Sequence, residues 1–245
     1  KRLADRQLWM LRMRHLRRKR FHYGHAFTRW QDRFLKTHPE YLALSEKGER
    51  GLPWATTFEK SKRALLCISN EAVADQIISD WKAAGTPEFL NVSPNDSDLY
   101  CHCEHCCAWD EPVPGEAFGA HKADRYVRFW NRVIAKAKAI RPDVKVVSYL
   151  YVAYRFPPRK AKLEYPDNFI GGIVPSAEED SGALIAGWKR AGLRMFFIRP
   201  NYLCYKGTMP RGYERFLVED FQRNLRDGMI GVDEDNYPRA ITYFE

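Results

Sequence analysis

The sequence predicts an α/β fold, a (β/α) TIM-type barrel present here in incomplete form, and three observations carry that reading. Short apolar runs of strand length alternate at least five times with stretches of helical periodicity. The runs are nearly continuous rather than alternating, as parallel strands covered by helices require. No Gly-x-Gly-x-x-Gly loop follows any of them, which weighs against the other architecture that fits, an open doubly wound nucleotide-binding sheet.

Taken in order, residues 3–19 carry a helical pattern in which Leu8, Trp9, Leu11, Met13 and Leu16 are interleaved with arginines. Phe21–Phe27 reads as a short strand ending at Gly24-His25, and Ser45–Lys60 as a turn-rich surface segment. Arg63–Ile68 has strand length and is closed by Ser69-Asn70, a helix N-cap. The helix that follows places Val73, Ile77, Ile78, Trp81 and Ala84 on one face and stops at Gly85. Phe89–Val92 is the next strand, followed by a cysteine-rich loop and a helix over His121–Ile140 with Tyr126, Phe129, Trp130, Val133, Ile134 and Ala137 in one stripe. Further strands are expected at Val144–Leu150, Phe169–Val174, Arg194–Ile198 and Met229–Val232. Helices over Leu184–Arg190 and Tyr213–Arg226 separate the last three, the second with Phe216, Leu217, Phe221 and Leu225 inward.

Length and composition fit one catalytic domain over residues 1–245, cut from a larger one at both ends. No run of 18 apolar residues exists, so no membrane span is expected. Residues 1–38 hold twelve Lys/Arg against two acids, which places essentially all of the formal +9 charge there. The interleaved apolar residues make residues 1–20 a docked amphipathic helix with a basic outer face, so nucleic acid is not the expected partner.

Active sites of α/β proteins gather beyond the carboxyl ends of the strands. Those ends supply His25 and Trp30, Asn95 and Asp96, Tyr151 and Tyr154, Arg199, Asn201 and Tyr202, and Asp233 and Asp235. Aromatic rings stack on pyranose faces, amides and Arg bond hydroxyls, and a carboxyl group can protonate a glycosidic oxygen. The partner this set predicts is a carbohydrate, and its hydrolysis requires no cofactor. Asn95-Asp96 would pair an acid with an orienting amide, as substrate-assisted cleavage of N-acetyl sugars needs; an Asx turn explains the same dipeptide. Asp233 and Asp235 face one way along an extended segment and are the second candidate carboxylates.

Cys101, Cys103, Cys106 and Cys107, with His102 and His105, offer enough soft ligands for a structural tetrahedral zinc. Disulfides in an exported protein would explain the same residues, while Cys67 and Cys204 stand apart. Either way the cysteines read as a clip on the loop that carries Asn95-Asp96.

Four motifs bear a family resemblance: Tyr23-Gly24-His25-Ala26-Phe27 with His38-Pro39-Glu40-Tyr41; Leu66-Cys67-Ile68-Ser69-Asn70; Val92-Ser93-Pro94-Asn95-Asp96 followed by Cys101-x-Cys103-x-x-Cys106; and Gly231-Val232-Asp233-Glu234-Asp235. Together they resemble a bacterial domain-of-unknown-function family, number 4838, related to glycoside hydrolase family 163. The resemblance implies a catalytic barrel, endo-β-N-acetylglucosaminidase-type activity on complex glycans, and export to the periplasm or beyond.

Overall fold

The computed structural model describes residues 23–175, 181–199 and 214–233, with side chains from 219 onward in the last segment. The expected basic helix over residues 1–20 and the positions Asn201, Tyr202 and Asp235 lie outside the described residues.

Five strands form one parallel sheet in chain order: β1 (Phe89–Asn91), β2 (Lys145–Leu150), β3 (Phe169–Ile173), β4 (Met195–Ile198) and β5 (Met229–Val232). β1 and β5 are the sheet edges, so the described residues make an open α/β sheet. Alternate residues serve two apolar layers. Val146, Leu150, Phe169, Ile173, Phe196 and Ile198 join the main core, whereas Val147, Tyr149, Ile170 and Phe197 form a second, smaller cluster with Val174. Gly171 and Gly172 serve one layer each. A Cβ on Gly172 would stand 2.4 Å from the Phe197 ring, and one on Gly171 would stand 2.9 Å from Leu150 Cδ1.

The helices follow the periodicity. α1 (Trp30–Phe34) and α2 (Phe58–Ser61) are short, and α3 (Glu71–Ala83) is capped by Asn70, whose Oδ1 accepts from the Ala72 N–H at 3.1 Å. Its chain reverses through Gly85 at φ +84°, a conformation that glycine adopts without strain. α4 (Glu104–Cys107) is one turn inside the cysteine loop, and α5 (Ala123–Lys138) is the central core helix. Trp130 of α5 is fully buried and stacks on Phe169 at 4.8 Å. Asp124, on the same helix, accepts the backbone N–H groups of Arg159, Lys160 and Ala161 at 2.8, 2.8 and 2.7 Å, so it pins the loop after Pro157-Pro158. α6 (Ser181–Arg190) and α7 (Glu214–Arg226) complete the layer. None of the described helices is long and apolar enough to cross a membrane.

Three expectations change. Residues 23–29 form a bend and turns rather than a strand. Arg63–Ile68 stays outside the sheet because residues 41–43 take its backbone groups: Ala43 N–H donates to Leu65 O at 2.9 Å and Cys67 N–H to Tyr41 O at 2.8 Å. The ladder is too short for a strand and leaves a single antiparallel bridge, Leu42 to Leu66. On α7, Leu225 is 60% exposed, and among the described side chains of that helix the buried ones are Asp220 and Asn224, while the side chains of Phe216 and Leu217 lie outside the described residues. Asp220 is held there through Oδ1, which accepts from Ser181 and Arg223, while its buried Oδ2 has no hydrogen-bond partner among the described residues.

Candidate functional site: a four-cysteine centre beside a polar strand edge

Cys67, Cys101, Cys103 and Cys106 bring their four sulfurs within 4.8 Å of one another. A tetrahedral ion with metal–sulfur bonds near 2.3 Å holds its sulfurs about 3.8 Å apart. Cys67 and Cys103 already lie at 3.5 Å, well beyond a disulfide bond of about 2.05 Å. The four cysteines could therefore bind a metal, and a disulfide clip is not what the sulfurs form.

Local sequence explains how three of them converge. Cys103 is the N-cap of α4, and its sulfur accepts the Cys106 N–H at 3.4 Å, so the Cys-x-x-Cys turn points both thiols one way. The Leu44 N–H reaches Cys101 Sγ at 3.2 Å, and the Ser69 hydroxyl lies 3.0 Å from Cys106 Sγ. Such donors orient sulfur ligands and spread their charge. Hydrogen bonds from Cys101 and Cys106 hold the Cys67 thiol far below its usual range despite burial, with Arg50 assisting. For Cys101, a bond from Cys106 is outweighed by donation to Cys67 and by burial, and the thiol is pushed up to about 12. Donation to Cys101 and Cys67, together with burial, raises Cys106 further. A divalent cation is what would let all four ionise.

The ligand set differs from the sequence expectation at one position. Cys107 faces away, with its sulfur 4.0 Å from Arg125 Nη2, and Cys67 takes the fourth place. His102 stacks on Phe118 at 3.8 Å and His105 is exposed, so neither joins the sulfurs. Cys67 is 34 residues before Cys101. Its one sequence signal is the adjoining Ser69-Asn70 cap, which turns the chain toward the cysteine loop.

The carboxyl edge of the sheet brings together His25, Arg199 and Asp233 by way of a residue the sequence reading missed, Tyr149. Arg199 Nη1 donates to the Tyr149 hydroxyl at 2.9 Å and to Asp233 Oδ2 at 2.5 Å. The Tyr149 ring lies 6.3 Å from the His25 ring in an edge-on arrangement and 5.8 Å from Tyr23. His25 Nδ1 donates to the Pro94 carbonyl at 2.7 Å, which in a neutral ring leaves the Nε2 lone pair free to accept. Tyr149 was hidden inside an apolar strand run; its signal is the alternation that puts Val147 and Tyr149 on one face.

Asp96 is exposed just past β1 and has no hydrogen-bond partner among the described residues. Asn95 points the other way: it is buried, its Nδ2 donates to Ala64 O at 2.7 Å, and its Oδ1 has no partner among the described residues. It ties the Pro94–Tyr100 loop to the segment that carries Cys67 and so cannot also face a sugar beside Asp96. Two aromatic expectations are corrected in the same way. Trp30 and Tyr154 are 4% and 3% exposed, packed among Phe27, Phe34 and Tyr41 and against Tyr126 and Trp130, so no ring face is open for stacking. Tyr151 is half-buried between the two apolar layers. Next to it, Val152 has φ +49°, an uncommon conformation for a β-branched residue and one that tends to occur at functional edges.

The sequence matches the family described as a domain of unknown function, DUF4838, over residues 5–170, and the chain belongs to that family. Comparison with curated proteins and with solved structures finds no match.

Proposed function

We propose that the chain is a glycoside hydrolase of the family 163 type, acting as an endo-β-N-acetylglucosaminidase on a complex glycan, with a structural zinc in its four-cysteine centre. The observation that carries the reading is the Tyr149–Arg199–Asp233 chain at the carboxyl edge of a parallel sheet, with His25 and the free Asp96 carboxylate on the same edge. The order of the strands along the sheet is that of a (β/α) barrel, and the Tyr149 face would be its interior.

The residues divide the work. Arg199 matches Asp233 in its anionic form, so Asp233 is suited to accept the N–H of a substrate acetamide or to stabilise positive charge at the reacting carbon. Asp96, unpaired, delivers a proton to the leaving oxygen. His25 Nε2 and the Tyr149 hydroxyl bond sugar hydroxyls. Buried tetrathiolate sites are the usual setting of structural zinc, which supplies no reaction step and fixes the loop behind Asp96. A glycan substrate of this kind fits export from a bacterium.

The test is product release, read by mass spectrometry, from a panel of N-acetylhexosamine glycans. Asp96→Asn and Asp233→Asn should each lower kcat by roughly 100-fold or more, with metal content and circular dichroism unchanged. Glycan binding without product on any member of the panel would instead make this a non-catalytic glycan-binding domain.

A further inference from the structure

We infer that Asn91 is a positioning residue for His25: its amide holds the Tyr23–Ala26 bend against the end of β1, so that the neutral ring keeps its proton on Nδ1 and offers Nε2 to a sugar hydroxyl. The inference rests on the reading of His25 as a sugar-binding group given above.

Asn91 is the last residue of β1 and, by alternation, shares a face with Phe89, which packs on the Tyr149 layer. Its register partner on β2 is Val147, a member of that layer. A half-buried amide among apolar neighbours needs partners for its polar atoms. Oδ1 accepts the Ser93 N–H at 3.0 Å, an Asx turn that closes the strand and accounts for that half of the side chain. Nδ2 makes a bond the turn does not need. It donates to the Gly24 carbonyl at 2.8 Å, 67 residues earlier in the chain.

That bond belongs to a set. The Ala26 N–H donates to Ser93 O at 2.9 Å, and His25 Nδ1 donates to Pro94 O at 2.7 Å. The continuation of β1 from Asn91 to Pro94 thus grips the Gly24 carbonyl, the His25 ring and the Ala26 N–H in succession. The bend itself depends on Gly24, whose φ of +105° is a conformation that glycine adopts without strain. A carbonyl can only accept, so His25 Nδ1 carries the proton, and a neutral ring then presents Nε2 as an acceptor. The same continuation locates Tyr149, whose N–H donates to Ser93 Oγ at 3.2 Å. One short stretch therefore sets the spacing of the two groups proposed to bond sugar hydroxyls. Of its three grips on the bend, the Asn91 amide is the one supplied by a side chain of the stretch, and so the one a substitution can remove.

The experiment reads the His25 ring directly, by proton–nitrogen correlation NMR of the isotope-labelled full chain in mildly alkaline solution, where a free imidazole is neutral. His25→Gln assigns the resonance. Asn91→Ser keeps an oxygen for the turn to Ser93 but is too short to reach Gly24, whereas Asn91→Ala loses both bonds. The parent is expected to hold the Nδ1–H form. Both variants should lower the ratio of Nδ1–H to Nε2–H by about fivefold, the worth of one neutral hydrogen bond, with circular dichroism unchanged. Turnover, read as kcat/KM on the released glycan, should fall by a similar factor. The inference is overturned if the parent ring is already a mixture of tautomers. It is equally overturned if Asn91→Ser keeps the parent ratio, since the turn alone would then place the bend. The expected tautomer shift in a chain that releases product from no glycan would overturn the hydrolase reading while supporting the role of Asn91, so the two failures are distinguishable.

Discussion

The cysteine centre and the carboxyl edge of the sheet are neighbours built on opposite principles. At the centre, three of the four cysteines are buried and Cys103 is partly so, two sulfurs accept backbone N–H groups, and the sulfurs already lie within 4.8 Å of one another. At the edge, Asp96 and His25 are exposed, and the described residues link Tyr149, Arg199 and Asp233 in a chain. A site whose role is to hold the fold can be closed and dry, whereas a site that must admit substrate leaves polar groups open. Asn95 joins the two: its backbone continues into Asp96 while its amide holds Ala64, near Cys67.

The largest expected effect separates the centre from its surroundings. Cys67→Ser and Cys106→Ser should lose stoichiometric metal and lower Tm sharply, whereas Cys107→Ser should keep both. Saturation a thousandfold above the dissociation constant contributes about 4 kcal/mol, so chelation should unfold the parent at visibly lower temperature. Metal bound equally by the Cys67 and Cys107 variants would erase the distinction between ligand and bystander.

Next comes a core element behind both regions. Trp130→Ala should cost about 3–5 kcal/mol in urea unfolding, because it empties the layer between α5 and Phe169. A loss below about 1 kcal/mol would mean that this layer is looser than its packing indicates.

At the edge, Tyr149→Phe removes the hydroxyl that bonds Arg199 and should cost only about 1 kcal/mol in stability. Its main consequence should be in turnover, so a stability loss as large as that of Trp130→Ala would make Tyr149 a structural residue.

The smallest effect is a surface control. Arg33 holds the Asp80 carboxyl below its usual value, burial opposing and Gln76 assisting. A depressed folded value gives a contribution that is present above the unfolded carboxylate range, near pH 4, and is lost as pH falls through the folded value. The pair is more than a third exposed, so the contribution is a few tenths of a kcal/mol. Asp80→Asn should flatten the acid limb of the stability curve by that amount and leave metal content unchanged.

What the sequence determined by itself is whatever depends on near neighbours. The stripe of α5, the Asn70 cap, the stop at Gly85 and the apolar runs that became β1 to β5 follow from periods of 3.6 and 2 and from the conformational freedom of glycine, and the structure carries each of them, whereas the run at Arg63–Ile68 and residues 23–27 form no strand. The Cys-x-x-Cys turn is local too, which is why Cys103 and Cys106 could be paired from spacing. Tertiary structure decided the rest. Cys67 replaces Cys107 because the hairpin of residues 42–51 and the Asn70 turn deliver it across 34 residues, a distance no spacing rule spans. Tyr154 follows the end of β2 and Trp30 follows the turns of residues 23–29, yet both face the core, since burying a large ring outweighs what its position in the chain suggests. Tyr149 joins the edge because the pleat turns it toward Arg199, two strands away, and only the assembled sheet brings those two side chains within a hydrogen bond.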